Sequence, residues 1–303
     1  AGAEGITDVY DVDACMIVVP DAAGQYARNI TLKGFYSESR QTSRSVYGFY
    51  APRICLSNFK DLAFSSQTAI FMKNTWMVAW ERVRGGRASV GWWVAGDHLT
   101  SGGVAGFPAG GTSNSFRACW AHDCAETGWA FDGLTYSFMD ACGVDNVHTT
   151  STYQARCYSF KNCRGIVLGA CGAEGITGTW LYVDKSIVSL NGCTAYWINL
   201  AAAKVAAITN PFAVLDVVGG SSVTLDNCSL QYDGTAAKVM PYFISDASRV
   251  QLLGGTQLPT TGLLFGVGGL GDSASALYDA TRETIRAKVR FQVAGGAVTI
   301  VRA

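Results

Sequence analysis

A short pattern of alternating apolar and polar residues recurs along the chain and ends each time on a small residue or Asn followed by Cys. The five copies that end on Cys lie at 115–119, 138–142, 167–171, 189–193 and 224–228. Weaker copies lie at 31–35, 55–59 and 251–255. The Cys copies are 23, 29, 22 and 35 residues apart. Such an elastic period predicts a β-solenoid, because the wall strands must stack whereas the turns can vary in length.

A second column of residues supports the same register. Six residues before the apolar residue of most copies stands an Asp or Asn, namely Asn74, Asp132, Asn162, Asp184 and Asp246. These residue types tolerate left-handed backbone and bond their own turns. The column therefore predicts a tight corner on every coil. The Cys column and the Asp/Asn column keep the same spacing to each other along the chain. Together they predict an all-β fold whose architecture is a single-chain right-handed parallel β-helix.

The same register divides the chain into three segments. We expect an N-terminal cap at 1–29, the parallel β-helix at 30–264, and a C-terminal capping and oligomerisation segment at 265–303. Within the β-helix, loops swell at 96–113, 201–211 and 233–241. A solenoid end exposes unpaired strand edges, so the terminal segment is expected to pair with other copies of the chain.

Composition narrows the functional classes. The 303 residues are 49% hydrophobic and 15% charged, with 35 Gly, which suits a β-rich fold with many turns. The chain has 23 basic residues (Lys and Arg) and 23 acidic residues (Asp and Glu). Because it has no excess of positive charge, we expect no nucleic-acid binding. No apolar run reaches the ~20 residues of a membrane-spanning helix, so we expect no membrane insertion. The start lacks both Met and the pattern of a signal peptide, and we expect a piece of a longer protein.

Ten cysteines raise the alternatives of disulfides or a metal site. None forms a C-x-x-C pair, and the three His lack zinc-ligand spacing. The aligned cysteines lie in apolar runs, which favours stacked free thiols in the core. We therefore expect no metal. The G-x-G-x-x-G match at 266–271 is followed by only 32 residues, too few for a dinucleotide-binding domain, so we expect no cofactor.

The coil sequences resemble a known group of proteins. Segments 133–138, 158–163 and 169–174 are similar to coils of pectate-lyase-like β-helices in phage tailspikes and polysaccharide depolymerases, over roughly residues 70–255. The resemblance implies a homotrimer on the virion tail that binds and cleaves a bacterial surface polysaccharide (capsule, O-antigen or exopolysaccharide). It implies glycosidic hydrolysis, or β-elimination where the polymer contains uronic acids.

Hydrolysis requires two carboxyl groups that flank the glycosidic bond. The position three residues after each aligned Cys is occupied, coil by coil, by His122, Asp145, Glu174, Tyr196 and Gln231. Neighbouring coils are ~4.8 Å apart, so Asp145 and Glu174 are predicted to form the acid pair. Asp123, two coils from Glu174 at ~9.6 Å, and Glu126 are further catalytic candidates. The alternative is that these acids cap turns or belong to a surface that binds no ligand.

Aromatic residues near this column predict saccharide contacts. Candidates for substrate binding are Trp120, Trp129, Tyr196, Trp197 and the imidazole of His122. Trp129, with Trp80 and Trp92, recurs near a repeat position, and the alternative for these three is that they fill the core. Trp92 and Trp93 cannot both point inward on one strand, so Trp93 is predicted to be exposed for saccharide or intersubunit contact. His122 beside Asp123 is either an acid–base dyad or a solvated corner residue.

Two alternatives to a hydrolase stay open. A lyase needs a base and a group that neutralises the uronate. The run Glu81-Arg82-Val83-Arg84 combines a carboxylate with cations, as a lyase site or as an ion-paired wall face. A non-catalytic adhesin would keep the aromatic surface without a working acid pair.

Overall fold

The protein is described by a computed structural model. The structure describes residues 13–20, 25–38, 46–95, 111–149, 154–199, 212–233, 239–256, 266–267, 276–279, 289–294 and 297–302. Within these ranges the regular elements are all strands, in agreement with the predicted all-β class. Twenty-seven of the described strands belong to one sheet, in which the strands pair in parallel with strands about one coil away. This is the predicted right-handed parallel β-helix.

The strands in chain order are Asp13–Ile17, Ala27–Arg28, Thr31–Glu38, Val46–Ala51, Ile54–Ser65, Thr68–Lys73, Thr75–Glu81, Arg84–Ala95, Gly111–Thr112, Ser115–Arg117, Trp120–Asp132, Leu134–Thr135, Phe138–Asp140, Gly143–Asp145, Arg156–Lys161, Arg164–Gly169, Gly172–Glu174, Thr179–Asp184, Ile187–Asn191, Thr194–Asn199, Phe212–Val218, Ser222–Asp226, Ser229–Asp233, Val239–Ile244, Arg249–Leu253, Gly266–Val267, Ala276–Asp279, Val289–Ala294 and Ala297–Arg302. The last two form a separate antiparallel pair.

Each coil has three walls. Wall A contains 120–122, Gly143–Asp145, Gly172–Glu174 and 194–196. Wall B contains 127–132, Arg156–Lys161, Thr179–Asp184, Phe212–Val218 and Val239–Ile244. Wall C contains Ser115–Arg117, Phe138–Asp140, 167–169, Ile187–Asn191, Ser222–Asp226 and Arg249–Leu253. Strand pairing continues on both sides of residues 30 and 264, and the three-segment division stays a prediction.

Aligned cysteines form the corner between walls C and A. Cys119, Cys142, Cys171, Cys193 and Cys228 are all buried, each directly after a residue in left-handed backbone. All ten cysteines of the chain are free, and nine are buried, which confirms the prediction of stacked thiols. Burial raises the pKa of Cys124 and Cys163 to about 12, so these thiols stay protonated at neutral pH.

The corner between walls B and C follows the predicted column only in part. Asn74, Asn162 and Asp246 have φ of 52°, 51° and 56°, as predicted. For Asp132 and Asp184 the prediction is wrong by one residue, because the left-handed residues are Gly133 and Lys185. Asp132 and Asp184 instead pair in register with Lys161 between them, in an alternating column of charge.

Aromatic residues stack in the core beneath wall B. The indoles of Trp92 and Trp129 have centroids 4.5 Å apart and nearly parallel planes. The side chain of Trp129 is 0% exposed. The prediction of Trp129 as a substrate-binding residue is therefore wrong, since a fully buried ring cannot contact a saccharide. Its place beside Phe131, two residues later on the same face, is that of a core residue.

The three swollen loops lie largely outside the described residues, at 96–110, 200–211 and 234–238. In the described part of the chain, no helix is long and apolar enough to cross a bilayer.

Candidate active site

The predicted column of polar residues lies along wall A. The backbone of His122 pairs with Asp145, Asp145 with Glu174, and Glu174 with Tyr196, on four consecutive coils. The spacing predicted from the cysteine alignment is thus confirmed for these four. After Ala195 the register to the next strand shifts, so the regular ladder does not continue to Gln231.

Strand alternation points this column outward. The preceding residues Ala121, Val144, Ala173 and Ala195 are all buried. Because successive side chains on a strand face opposite sides, their neighbours His122, Asp145, Glu174 and Tyr196 face solvent. Asp145 and Glu174 therefore lie on one outer surface, one strand spacing of ~4.8 Å apart.

Core residues hold wall A from inside. The indole Nε1 of Trp92 donates to the carbonyl of Trp120 at 3.1 Å, and that of Trp129 to the carbonyl of Gly143 at 3.2 Å. On the next coil the Tyr158 hydroxyl donates to the carbonyl of Gly172 at 2.6 Å. Three aromatic residues at one register position of wall B thus bond three consecutive wall A strands. Buried Trp129 therefore supports the backbone of wall A from the core.

The two acids of the column differ in their surroundings. Asp145 is half-buried, and its pKa is raised, first by burial and second by the neighbouring carboxylate of Glu174. The imidazolium form of His122 opposes this shift, and Asp123 adds to it. Glu174 is exposed. A half-buried carboxyl with a raised pKa beside an exposed carboxyl is the asymmetry that acid catalysis of glycoside cleavage uses.

Asp123 lies at the corner of the coil and not on the outward column. Its φ is 52°, and Arg87, Asn146 and Gly175 on neighbouring coils are left-handed too. Its Oδ2 lies 3.0 Å from His122 Nδ1, and its Oδ1 accepts from Asn146 Nδ2 at 3.1 Å. The bond to His122 is the main cause that lowers the pKa of Asp123. An ionised corner residue with two partners fits the turn-capping alternative.

Glu126 lies farther along the same strand, at a bulge. The register between Trp120–Asp132 and Arg84–Ala95 shifts between Cys124 and Thr127, so two residues oppose one. This irregularity separates Glu126 from the regular ladder that joins Asp145 to Glu174.

Exposed aromatic residues flank the acids. Trp120 is 43% exposed and Tyr196 is 45% exposed. Atoms of the Trp120 indole lie 3.6 Å from the point where a Cβ on Gly143 would stand, so the ring rests against the next coil. Trp93 is 38% exposed, as predicted, but it lies on wall B against Phe71 and not beside the acids. The side chain of Trp197 lies outside the described residues.

A pocket of about 620 Å³ opens on wall A, on the N-terminal side of Trp120. It is lined by Gly34, Phe35, Tyr36, Asp61, Leu62, Ala63, Arg82, Arg84, Ala118 and Trp120. Next to it, Lys60 Nζ lies 3.0 Å from Glu81 Oε2, and Arg82 also contacts Glu81. The ion-paired interpretation of Glu81 and Arg82 is thereby confirmed.

The sequence analysis did not identify a cluster on wall B. Asp216 is partly buried, and burial raises its pKa to about 6. Arg156 lies 3.6 Å from the ring centroid of Tyr182, whose backbone pairs with Asp216. The signal available in the sequence was an Asp inside the apolar run of strand Phe212–Val218. Among the described residues, no group of three or more His, Cys, Asp or Glu could hold a metal ion.

Comparisons with known proteins show which group shares this architecture. No protein-family model and no curated protein matches the chain. Among solved structures, the gp42 tailspike of Acinetobacter phage vb_AbaP_AS12 aligns with a TM-score of 0.64 and 22% identity over 96% of this chain. The chain spans about half of that tailspike, at 50% of its length.

Two further solved structures align more loosely. An alginate lyase from Paenibacillus sp. has a TM-score of 0.43 and 10% identity over 80% of this chain and 92% of its own. A DFA-IIIase from Arthrobacter chlorophenolicus in complex with DFA-III has a TM-score of 0.45 and 10% identity. That alignment covers 89% of this chain and 61% of the DFA-IIIase. The class that fold and site define is a parallel β-helix with paired carboxylates on one wall. Its fold is that of a phage tailspike, which confirms the resemblance seen in the coils.

Proposed function

We propose that this chain is the polysaccharide-cleaving part of a phage tailspike and hydrolyses glycosidic bonds of a bacterial surface polysaccharide. The observation that carries the proposal is the direct pairing of Asp145 with Glu174 on the outer face of wall A. A strand spacing of ~4.8 Å is close to the ~5–5.5 Å between the carboxyl groups of retaining glycosidases.

The surroundings of the two acids support the following proposed roles. Asp145, whose pKa is raised, gives its proton to the oxygen of the departing sugar. Glu174 attacks the anomeric carbon as its bond to that oxygen breaks, and a glycosyl ester forms on Glu174. Asp145, now ionised, takes a proton from water, whose oxygen displaces Glu174 and returns the free enzyme. Configuration is retained after two inversions.

Wall A also offers a path for the polymer. Trp120 and Tyr196 present exposed rings on either side of the acids along the helix axis. Aromatic faces suit the apolar faces of sugar rings, and a pyranose unit is comparable in length to the strand spacing. A polysaccharide that lies along the axis would place about one sugar on each coil.

Assembly and location follow the same proposal. We expect a homotrimer on the virion tail, with bacterial capsule, O-antigen or exopolysaccharide as the partner. The tailspike fold supports this proposal, as does the need of a solenoid end to cover its unpaired edges. Size-exclusion chromatography with light scattering measures the oligomer, and a monomer at micromolar concentration would contradict this part.

The acid pair is tested by incubating the full chain with a panel of capsular and O-antigen polysaccharides and measuring reducing ends. Asp145→Asn and Glu174→Gln are each expected to reduce cutting by about 10²–10⁴-fold while binding is retained. Asp140→Asn is the matched control, since it removes a carboxylate from an exposed ion pair with Arg117 on wall C.

Other outcomes identify the competing functions. Unchanged cutting in both variants would refute the acid pair, and the same assay on Asp216→Asn would then show whether wall B carries the site. An unsaturated product that absorbs in the ultraviolet would show a lyase. Binding without cutting of every polymer would show an adhesin.

A further inference from the structure

The pocket on wall A is continuous with the candidate active site. Arg84 pairs in register with Trp120, and Trp120 pairs with Gly143, on the strand that carries Asp145. Tyr36 pairs with Ala63, and Ala63 with Arg84. The outward column of the pocket is therefore the column of Trp120, two positions before that of the acids on the same strand face. Arg84 lies two strand spacings, ~9.6 Å, from the coil of Asp145.

The charges that line the pocket do not cancel. Its lining holds two arginines and one aspartate. The Asp61 carboxylate is bound by Arg82, at 2.7 Å from Nε to Oδ1 and 3.2 Å from Nη2 to Oδ2. Arg84 is exposed, and among the described residues no carboxylate pairs with its guanidinium. The guanidinium of Arg84 is therefore available to bind an anionic ligand in the pocket.

The rest of the lining suits a sugar. Trp120 and Tyr36, 43% and 61% exposed, present aromatic surface on either side of Arg84 along the axis. A guanidinium presents two parallel donors that match the two oxygens of a carboxylate, whereas a neutral sugar offers no such acceptor. An arginine that no described carboxylate neutralises, placed between aromatic rings, is therefore suited to a sugar that carries a carboxylate.

We infer that this pocket binds a carboxylate-bearing sugar of the polymer, about two coils from the sugar at Asp145, with Arg84 on the carboxylate and Trp120 against the ring. The inference rests on the proposed function in that it takes the ligand to be the same polysaccharide. It adds that the polymer is acidic and that its charge is recognised away from the bond that breaks.

The experiment measures binding apart from cutting. An array of acidic and neutral bacterial polysaccharides is probed with the full chain, and the tightest binder is titrated by tryptophan fluorescence. The same polymer is then titrated after chemical reduction of its carboxylates to primary alcohols. Arg84→Gln is compared with Arg249→Gln, which removes an exposed arginine from wall C.

We expect the tightest binder to carry carboxylates. Arg84→Gln should raise its Kd about ten- to a hundredfold, as for loss of a charge-assisted hydrogen bond, and leave the Kd of the reduced polymer unchanged. Arg249→Gln should change neither. A neutral polymer as the tightest binder, an equal Kd after reduction, or no binding by any acidic polymer would overturn the inference.

The two sets of variants distinguish failure of the proposed acid pair from failure of the pocket inference. If Asp145→Asn and Glu174→Gln still cut while Arg84→Gln weakens binding, the catalytic assignment is wrong and the pocket stands. If they stop cutting while Arg84→Gln binds normally, the acid pair stands and the pocket assignment is wrong.

Discussion

The Tyr158 hydroxyl reaches from the core to the carbonyl of Gly172, two residues before Glu174. The bond therefore fixes the strand that presents one of the two acids. Tyr158→Phe removes the donor and little else, at a cost of about 0.5–1.5 kcal/mol in the free energy of unfolding. Because a small displacement at a reacting centre is costly, kcat should fall severalfold, up to about a hundredfold.

Phe160→Leu is the control for this prediction. Phe160 is buried in the same strand and has no hydrogen bond to donate. The substitution Phe160→Leu should lower the free energy of unfolding by a similar amount, whereas kcat should stay at the wild-type value. Equal kcat in Tyr158→Phe and wild type would show that the strand of Glu174 is held without this bond.

The contact of Trp120 with Gly143 gives a second prediction. A Cβ at Gly143 would stand at van der Waals distance from the indole, so Gly143→Ala should be tolerated. Gly143→Leu should displace the ring and weaken polysaccharide binding about as much as Trp120→Ala. Gly169→Leu on wall C provides the control and should bind normally. Isothermal titration with a bound polysaccharide measures all four, and wild-type affinity in Gly143→Leu would contradict the contact.

Proximity of the two acids can be measured without any substrate. Since the Glu174 carboxylate is the second cause that raises the pKa of Asp145, Glu174→Gln should lower that pKa. Carbon-13 NMR of the labelled carboxyl groups follows the titration. Asp140→Asn, on another wall, should leave it unchanged. An identical Asp145 titration in Glu174→Gln would mean that the two side chains point apart.

Much of the fold could be predicted because one corner of each coil has a recognisable residue type in the sequence. The corner between walls C and A needs a small buried residue, and Cys fills it five times, which fixed the register of wall A. The corner between walls B and C was located less accurately. There a left-handed backbone falls on Gly133 and Lys185, and nothing in a lysine predicts φ of 50°.

Side-chain surroundings were harder to predict than register. The face of Trp129 could have been inferred from Phe131 two residues later, whereas Asp216 was missed because no repeat column contains it. Ion pairs such as Arg82 with Asp61 depend on contacts between residues of neighbouring coils that are 21 positions apart in the sequence. Such contacts can be identified only once the stacking of the coils is known.

Asp216 predicts a pH dependence of stability. Its pKa rises from 3.8 to about 6 on folding, so the folded state binds the proton more tightly than the unfolded state. Stability from this group is complete below about pH 4 and is lost as pH rises through about 6. Asp216→Asn should therefore be more stable than wild type at about pH 7, by up to about 3 kcal/mol, with no gain at about pH 4. Urea unfolding at both values measures this, and an equal gain at both would contradict it.

Thiol reactivity tests the buried cysteines. Cys15 is exposed, and the other nine are buried with no disulfide. The native protein should release one equivalent of thionitrobenzoate from Ellman's reagent, and the urea-unfolded protein ten. Cys15→Ser should abolish the native reaction. Rapid reaction of several thiols in the native protein would mean that the corner between walls C and A opens to solvent.

The ladder on wall A separates distance along the chain from distance in space. His122, Asp145, Glu174 and Tyr196 follow one another after 23, 29 and 22 residues, yet each is the direct neighbour of the next. The strand repeat alone sets the distance between these four residues, whatever the length of the intervening segments. In the proposed depolymerase, insertions between the walls can therefore change which polymer is admitted while the acids keep their spacing. Specificity and chemistry can thus diversify independently in such a molecule.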